Sequence, residues 1–254
     1  MEKIHFTYDR AKKKDKSIRI FLNKYKNYPP HSANIIVVLG GDGFMLQTLK
    51  KYQKYNKYFY GINRGTYGFL MNKYKNLNIN NIINRTKPIV ISPLEMKALT
   101  KEGKICKAIA INEVSLLRQT RQTSLLKIEY GKKILIKKLF CDGVLVSTPA
   151  GSTAYNLSVG GPILSLNSKK IAVTPISPFR PRRWKGKVLS STSLIKIKNM
   201  DIDKRSVSAV ADNVEIRNIK KVSIKINSKI KFKLLYDRNV SLNEKISLEK
   251  RMKQ

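Results

Sequence analysis

The sequence predicts two domains of different class, an open α/β domain followed by a mostly antiparallel β-sandwich domain. Three observations favour this division. Strand and helix patterns alternate up to about residue 92, helical periodicity nearly disappears after Pro93, and 254 residues suffice for two hydrophobic cores. We therefore assign 1–92 and the tail 237–254 to the α/β domain, and 93–236 to the β domain.

The first domain shows the alternation of elements that is typical of an open parallel sheet. Its predicted strands cover 3–7, 35–39, 58–62 and 88–92. Its predicted helices cover 16–26, 44–55 and 77–84. The run IIVVL at 35–39 is apolar throughout, which indicates a strand buried on both faces.

The second domain is predicted to consist almost entirely of strands. They cover 96–101, 104–118, 124–130, 132–140, 144–146, 194–198, 207–210, 214–217, 222–226 and 230–235. Residues 129–132, EYGK, predict a hairpin turn. In the segment 221–235 apolar and polar residues alternate, which is typical of strands with one apolar face and one lysine-rich face. In the tail, SLNE at 241–244 is a capping-box pattern, which predicts a C-terminal helix that returns toward the first domain.

The charge of the chain is extreme, with 52 Lys and Arg against 16 Asp and Glu and a formal net charge of +36. Nucleic-acid binding is one interpretation. The lysines are spread along the whole chain, however, which favours a solvated basic surface that attracts anionic ligands such as nucleotides. RPRRWK at 180–185 is the one dense basic cluster with an aromatic residue, and it fits a phosphate site, a subunit contact or a solvated loop.

Signals for export or membrane insertion are not evident in the sequence. The N-terminal segment is charged and lacks the apolar core of a signal peptide, and no apolar run approaches the roughly 20 residues of a membrane span. Cys106 and Cys141 are too few for a disulfide framework. We therefore expect a cytoplasmic protein with reduced thiols.

The glycine-rich turn GGDG at 40–43 follows the buried strand and precedes a predicted helix. Glycines let the backbone approach a ligand, and a helix N-terminus offers free N–H groups to phosphate. Asp42 would then stand at the carboxyl end of a parallel strand, where open α/β sheets place their sites. The alternative is a turn whose aspartate caps the helix beginning at Phe44.

Polar residues also follow or interrupt other apolar runs. Arg64, in NRGTYGFL at 63–70, fits either a phosphate contact or a surface charge, and Phe69 fits either base stacking or core packing. Asn112 and Glu113 interrupt the apolar strand AIAINEVSLL. They suit recognition of a nucleotide, while a β-bulge or an internally satisfied polar pair is the alternative.

The segment DGVLVSTPAGSTAYNLSVGGP at 142–162 begins as a strand and becomes a run of small and hydroxylated residues around Tyr155. Such a loop can bring backbone N–H groups and hydroxyls close to a polar ligand. The alternative is an ordinary connection between strands. Asp142 and Asp212 are further acids in apolar surroundings. A ligand site between the two domains is the natural expectation.

The histidine content limits the chemistry. His5 and His31 are the only histidines and lie in no motif, which argues against a Ser-His-Asp triad and a histidine zinc site. We accordingly assign no metal ligands on the chain. The available acids suit proton abstraction from a hydroxyl and Mg²⁺-assisted phosphoryl transfer.

Five segments in their order along the chain resemble the NAD kinases. They are GGDG at 40–43, NRGTYGFLMN at 63–72, NEVSLLR at 112–118, the segment at 142–162 and SPFRPRRW at 177–184. The last segments look like the compact bacterial branch of that family. GGDG alone is shared with phosphofructokinases and lipid kinases, whereas TPAGSTAYNLS is not.

The resemblance implies a Rossmann-like, phosphofructokinase-like first domain and transfer of the γ-phosphoryl group of ATP to the 2′-hydroxyl of the adenosine ribose of NAD, giving NADP. It implies Mg²⁺ or another divalent cation with ATP, and a homodimer or homotetramer that binds neither nucleic acid nor membrane. A lipid or sugar kinase that shares only GGDG, and a non-catalytic nucleic-acid-binding protein, are the competing interpretations.

The resemblance also implies roles for single residues. Asp42 is the proton acceptor, Gly43 lies beside it, and Phe69 lines the pocket. Asn112 and Glu113 hold the adenine and ribose of NAD, and Asp142 contacts the nicotinamide side from a neighbouring subunit. The loop residues that wrap the dinucleotide are Ala150, Thr153, Ala154, Tyr155, Asn156, Leu157 and Ser158, with Tyr155 stacking on a ring. Asn213 stands where relatives often carry Gln or His.

Overall fold

The computed structural model describes residues 2–9, 16–65, 68–74 and 78–237. Two compact units divide the chain: unit 1 comprises Met1–Ile91 and Ile230–Gln254, and unit 2 comprises Ser92–Lys229. The predicted C-terminal helix lies outside the described residues.

Unit 1 is built on a five-stranded sheet. Its strands are β1 Ile4–Tyr8, β2 Ile35–Gly40, β3 Tyr58–Asn63, β4 Thr86–Ile91 and β17 Phe232–Asp237. Their order across the sheet is β1-β2-β3-β17-β4, in which β1, β2, β3 and β17 run parallel and β4 is antiparallel to β17. β2 is buried along its whole length, as its unbroken apolar run predicts.

Helices cover the two faces of this sheet. They are α1 Lys16–Lys24, α2 Asp42–Tyr52 and α3 Ile79–Ile83. Phe21 of α1 packs in one core cluster with Tyr60 and Ile62 of β3. Side chains alternate along a strand, so a side chain at Gly61 would lie on the opposite face from Tyr60 and Ile62. A Cβ atom there would lie only 2.5 Å from Met45 of α2.

The second unit is a sandwich of two six-stranded antiparallel sheets. Its strands are β5 Leu94–Thr100, β6 Ile105–Ala110, β7 Glu113–Arg118, β8 Ser124–Tyr130, β9 Lys133–Cys141, β10 Gly143–Ser147, β11 Lys170–Ile176, β12 Lys187–Ser190, β13 Ile195–Asn199, β14 Val207–Ala211, β15 Val214–Ile216 and β16 Ile219–Ile226. One sheet has the order β12-β11-β10-β7-β14-β15 and the other β6-β5-β16-β13-β8-β9. Buried side chains of both sheets form one core cluster.

The structure corrects three strand predictions. The segment 104–118 is not one strand. It contains β6 and β7, which belong to different sheets and are separated by residues 111–112, so Asn112 lies at the junction between them and not inside a strand. The segment 230–235, predicted in the β domain, supplies β17 to the unit 1 sheet. The strands β11 and β12 were not predicted at all. No helix in the described ranges is long and apolar enough to cross a membrane.

Cys141 ends β9 in the core of unit 2 and is fully buried, whereas Cys106 is partly exposed. Burial raises the pKa of the Cys141 thiol to about 11. Since the thiolate is the reactive form, we expect Ellman's reagent at mildly alkaline pH to label one thiol in the native protein and two after denaturation in guanidinium. A Cys106→Ser variant should then show no rapid native labelling. Rapid labelling of that variant would contradict the burial of Cys141.

Candidate active site

The Asp42 carboxylate lies at the carboxyl edge of the unit 1 sheet, in the first turn of α2. Its Oδ2 accepts a hydrogen bond of 2.7 Å from the N–H of Phe69, and its Oδ1 accepts one of 3.0 Å from the N–H of Leu70. The helix begins at Asp42 with Gly41 at the N-cap, and within the described residues no side chain caps it. Capping of a helix that begins at Phe44 is therefore the wrong interpretation of this aspartate.

Close approach of the backbone around Asp42 requires glycine at two positions. A Cβ atom at Gly68 would lie 2.9 Å from Asp42 Oδ1, and one at Gly40 would lie 2.9 Å from the Phe44 ring. The N–H of Arg64 donates to the Gly40 carbonyl at 2.8 Å, which joins the ends of β2 and β3. The segments GGDG and NRGTYGFL are thus brought together, as their positions after neighbouring strands predict.

Tyr236 is a neighbour of this aspartate that sequence reasoning missed. It is buried in β17, and its hydroxyl donates to the Phe69 carbonyl at 3.5 Å. Burial and the negative charge of Asp42 raise the pKa of the Tyr236 hydroxyl, so it stays protonated at physiological pH. The sequence carried no signal for this contact, because the alternating pattern placed its strand in the other domain.

In unit 2, the loop that follows β10 is fastened to the start of β7. The N–H of Thr148 donates to the Asn112 carbonyl at 2.9 Å, and the Thr148 hydroxyl donates to the Ile111 carbonyl at 2.7 Å. Gly151 comes so close that a Cβ atom there would lie 2.2 Å from the Asn112 carbonyl oxygen. The pair Asn112 and Glu113 (the Asn-Glu pair) and the loop at 148–162 (the small-residue loop) are therefore in direct contact in this unit.

Two oxygen atoms of the pair, Asn112 Oδ1 and Glu113 Oε2, are buried and have no hydrogen-bond partner among the described residues. A buried acceptor left unsatisfied costs about 1–3 kcal/mol, so native structures rarely retain one without a ligand or water to satisfy it. The alternative of an internally satisfied polar pair therefore does not hold. The acceptor capacity of the two atoms is thus unused within the described part of the chain.

The Glu113 carboxyl titrates in an unusual range. Its own burial, and secondly the negative charge of Asp212, raise the pKa of Glu113 to about 7. Both effects disfavour the ionised form, in contrast to an exposed glutamate, whose pKa is near 4.3. The side chain therefore changes its charge close to neutral pH, as groups in binding and catalytic sites often do.

Asn156 holds the shape of the loop from inside. Its Oδ1 accepts a 2.7 Å bond from the Thr174 hydroxyl, and its Nδ2 donates to the carbonyls of Ser152 and Pro162 at 3.2 and 2.9 Å. The side chain is fully buried, and a Cβ atom at Gly161 would lie 2.2 Å from it. The amide is thus engaged within the loop on both of its polar atoms, and a role in ligand binding stays a prediction.

The other predicted loop residues range from buried (Ala150, Thr153) through half-buried (Ala154, Leu157) to exposed (Tyr155, Ser158). Residues Ala150–Thr153 form a 3₁₀ turn, and Tyr155–Ser158 form a single α-helical turn, α4. Tyr155 is 36% exposed as a residue, in keeping with an aromatic side chain that can stack on a planar group.

The turn between β14 and β15 also reaches the Asn-Glu pair. The Asp212 carboxylate accepts hydrogen bonds from the N–H groups of Ile111 and Asn112, at 2.8 and 2.9 Å. Asn213 follows directly and is exposed. The predicted contact residue Asn213 is therefore close in space to the pair. Asp212, to which the sequence motifs assign no role, contacts the pair directly.

Within unit 2, Asp142 lies apart from the other predicted site residues. It stands before β10, whereas the loop follows the far end of that strand at Ser147. At about 3.3 Å per residue, Asp142 and Thr148 are roughly 20 Å apart. The Asp142 carboxylate pairs with the guanidinium of Arg118 at 2.5 Å.

The donor atoms near Asp42 bear on the divalent cation that phosphoryl transfer uses. Among the described residues, no group of three or more His, Cys, Asp or Glu side chains is arranged to hold a metal ion. Mg²⁺ commonly keeps several waters and is bound through one or two carboxylates and the phosphates of a substrate. The residues present fit an ion that arrives with a nucleotide triphosphate.

Comparisons with known proteins identify relatives over most of the chain. A family model described as "ATP-NAD kinase C-terminal domain" matches residues 111–237, which is half of the chain. The sequence is 46% identical over 217 residues to an NAD kinase of Mesorhizobium japonicum, covering 85% of this chain and 84% of that protein.

Two solved structures share the fold. A yeast NADH kinase complexed with NADH superposes with a TM-score of 0.76 at 19% identity, covering 97% of this chain and 86% of the yeast chain. An Archaeoglobus fulgidus NAD kinase in complex with ATP superposes with a TM-score of 0.73 at 21% identity, covering 96% and 98%. These likenesses confirm the predicted α/β plus β-sandwich fold class.

Proposed function

Since the chain belongs to the NAD kinase family, we propose that it transfers the γ-phosphoryl group of ATP to the 2′-hydroxyl of the adenosine ribose of NAD, with Asp42 as the general base. The observation that carries the choice of acceptor is the joining of the small-residue loop to Asn112, beside two buried oxygens without partners. A site of this kind suits the hydroxyls and amine of an adenosine.

The chemistry assigned to Asp42 follows from how its carboxylate is held. Its two oxygens accept the backbone N–H groups of Phe69 and Leu70, which fixes the orientation of the carboxylate. The ribose 2′-hydroxyl gives its proton to this carboxylate while the hydroxyl oxygen forms a bond to the γ-phosphorus. The bond from that phosphorus to the bridging oxygen breaks, and ADP leaves.

The chain's contribution to phosphate binding comes from its backbone. The first turn of α2, which includes Gly43, presents N–H groups and the positive end of the helix dipole to the triphosphate. The loop that begins at Asn63 lies beside it, because the Arg64 N–H is bonded to Gly40. A divalent cation bound to the phosphates would neutralise the charge that develops during transfer.

On the acceptor side, we assign Asn112 and Glu113 to the adenosine, the loop from Ala150 to Ser158 to the dinucleotide backbone, and Tyr155 to stacking. Phe69 and Asn213 line the same substrate. Phe69 is half-buried and its backbone N–H donates to Asp42, which supports a place for this residue beside the proposed base. Asn156 contributes by holding the loop through its buried amide.

A homo-oligomer, a dimer or a tetramer, completes the proposal. Asp142 lies at the far end of β10 from the loop, which supports a contact between Asp142 of one copy of the chain and the nucleotide bound by another. The two cysteines form no disulfide, in keeping with a reducing cytoplasmic setting.

A coupled assay tests the function. The purified protein is incubated with NAD, ATP and Mg²⁺, and NADP is detected with an NADP-specific dehydrogenase. We expect NADP to form, and formation to stop when EDTA removes the cation or when ATP is left out. Phosphorylation of diacylglycerol or fructose 6-phosphate in parallel samples, without any NADP, would instead identify a lipid or sugar kinase.

A further inference from the structure

The Asp212 side chain clamps the backbone of the Asn-Glu pair from a turn about a hundred residues later in the chain. Its Oδ2 accepts the Ile111 N–H at 2.8 Å, and its Oδ1 accepts the N–H groups of Asn112 and Glu113 at 2.9 and 3.4 Å. In return, the N–H of Asp212 donates to the Glu113 carbonyl at 3.1 Å. Three consecutive residues are therefore fixed by one carboxylate.

The backbone conformation at position 212 suits aspartate better than most other residues. Its φ of +53° lies in the left-handed region, which aspartate and asparagine tolerate better than other side chains that carry a Cβ atom. The clamp holds the start of β7, where the chain has left the sheet that contains β6 and enters the other sheet.

We propose that Asp212 is a positioning residue for NAD: its carboxylate fixes the backbone of 111–113 so that Asn112 Oδ1 and Glu113 Oε2 stay available to donor groups of the nucleotide. The inference rests on the proposed function. Asp212 acts through the two residues beside it, without itself contacting the reacting atoms.

The charge of Asp212 has a second effect that a purely structural residue would not have. Together with burial, it raises the pKa of Glu113. Across the strand pair, Glu113 faces Ser147, which does not titrate, so among the described residues Asp212 is the charged group that acts on it. A nucleotide hydroxyl donates best to an ionised carboxylate, so NAD affinity should rise as Glu113 loses its proton near pH 7.

Two variants separate the position of the carboxylate from its charge. Asp212→Asn keeps the shape and the tolerated backbone conformation but removes the charge and one acceptor oxygen. Asp212→Glu keeps the charge but displaces the acceptors by one methylene. Asp201→Asn is the matched control, because Asp201 also accepts a backbone N–H in a turn of unit 2 and lies outside the proposed site.

The readouts are KM for NAD, kcat and the calorimetric dissociation constant of NAD, measured from about pH 6 to pH 9 around the expected Glu113 transition. At the alkaline end, where Glu113 is ionised in every variant, we expect KM to rise about tenfold in Asp212→Asn and Asp212→Glu, with kcat within about threefold of wild type. The midpoint of the pH dependence should move to lower pH in Asp212→Asn only. Asp201→Asn should match wild type in both respects.

The inference is overturned if Asp212→Asn binds NAD like wild type with an unchanged pH midpoint, while the wild-type enzyme makes NADP. It is also overturned if both Asp212 variants lose kcat and melting temperature together without a selective effect on NAD. A wild-type protein that binds no NAD would overturn the proposed function as well, so the two failures are distinguishable.

Discussion

Replacing Asp42 by asparagine should lower the rate of NADP formation by about two to four orders of magnitude, the usual contribution of a positioned general base. An amide cannot accept the proton of the 2′-hydroxyl, while its size preserves the surrounding packing. NAD binding should remain close to that of wild type, because the unpartnered acceptors and the small-residue loop belong to unit 2. Single-turnover kinetics with calorimetric NAD binding measure the two quantities separately.

The matched control for this experiment is Asp203→Asn, since Asp203 is an exposed aspartate paired with Lys101 on the surface of unit 2. It should retain full activity. Asparagine at position 42 also faces the N–H groups of Phe69 and Leu70, so thermal denaturation should be recorded for both variants. Normal turnover by a folded Asp42→Asn protein would remove the assigned role from this residue.

The second large effect is expected from Gly151→Ala. A Cβ atom at this position would lie 2.2, 2.4 and 2.5 Å from the O, C and Cα atoms of Asn112. All three belong to the backbone of Asn112, whose carbonyl accepts the Thr148 N–H and whose N–H donates to Asp212. The loop must therefore move away from the start of β7. We expect a loss of about 1–3 kcal/mol in the free energy of unfolding and a rise in KM for NAD, measured by chemical denaturation and steady-state kinetics.

Gly186→Ala is the comparison that tests whether this effect is specific. A Cβ atom there would lie 2.0 Å from the Val173 carbonyl oxygen, and the φ of +85° adds strain. That variant should lose stability at least as strongly, yet leave KM for NAD unchanged at temperatures where it is folded. Equal effects of both variants on KM would indicate that the Gly151 contact has no special connection with the nucleotide.

The fold could be predicted from the sequence where one local pattern determines one element. The unbroken apolar run of β2 and the glycines after it predict both this buried strand and the start of α2 to within two residues. The segment 104–118 was predicted as one strand, because both halves are apolar and neither glycine nor proline marks the break at 111–112. Sheet membership depends on distant pairing, which local periodicity does not encode.

The site was predictable to a similar degree. The segments around Asp42 and Phe69 follow neighbouring parallel strands, so their meeting could be expected from the sequence. The clamp from Asp212 could not, because three backbone hydrogen bonds across a hundred residues leave no motif. The contact of Tyr236 could not be predicted for a related reason: the apolar and polar alternation of its strand fits either sheet equally well. Asn156, in contrast, was identified through its motif, but its buried amide serves the loop.

The place of β17 has a consequence for how the protein forms on the ribosome. The strand lies between β3 and β4, although β4 is complete at Ile91 and β17 begins only at Phe232. The α/β sheet therefore cannot close until the entire β-sandwich has been synthesised, and until then β3 and β4 present unpaired edges. The second unit, by comparison, is continuous from Ser92 to Lys229 and can fold first. The unit that carries Asp42 is thus the last to be finished. A chain that stops before Phe232 would therefore hold a folded β-sandwich, while the sheet that positions Asp42 would lack β17.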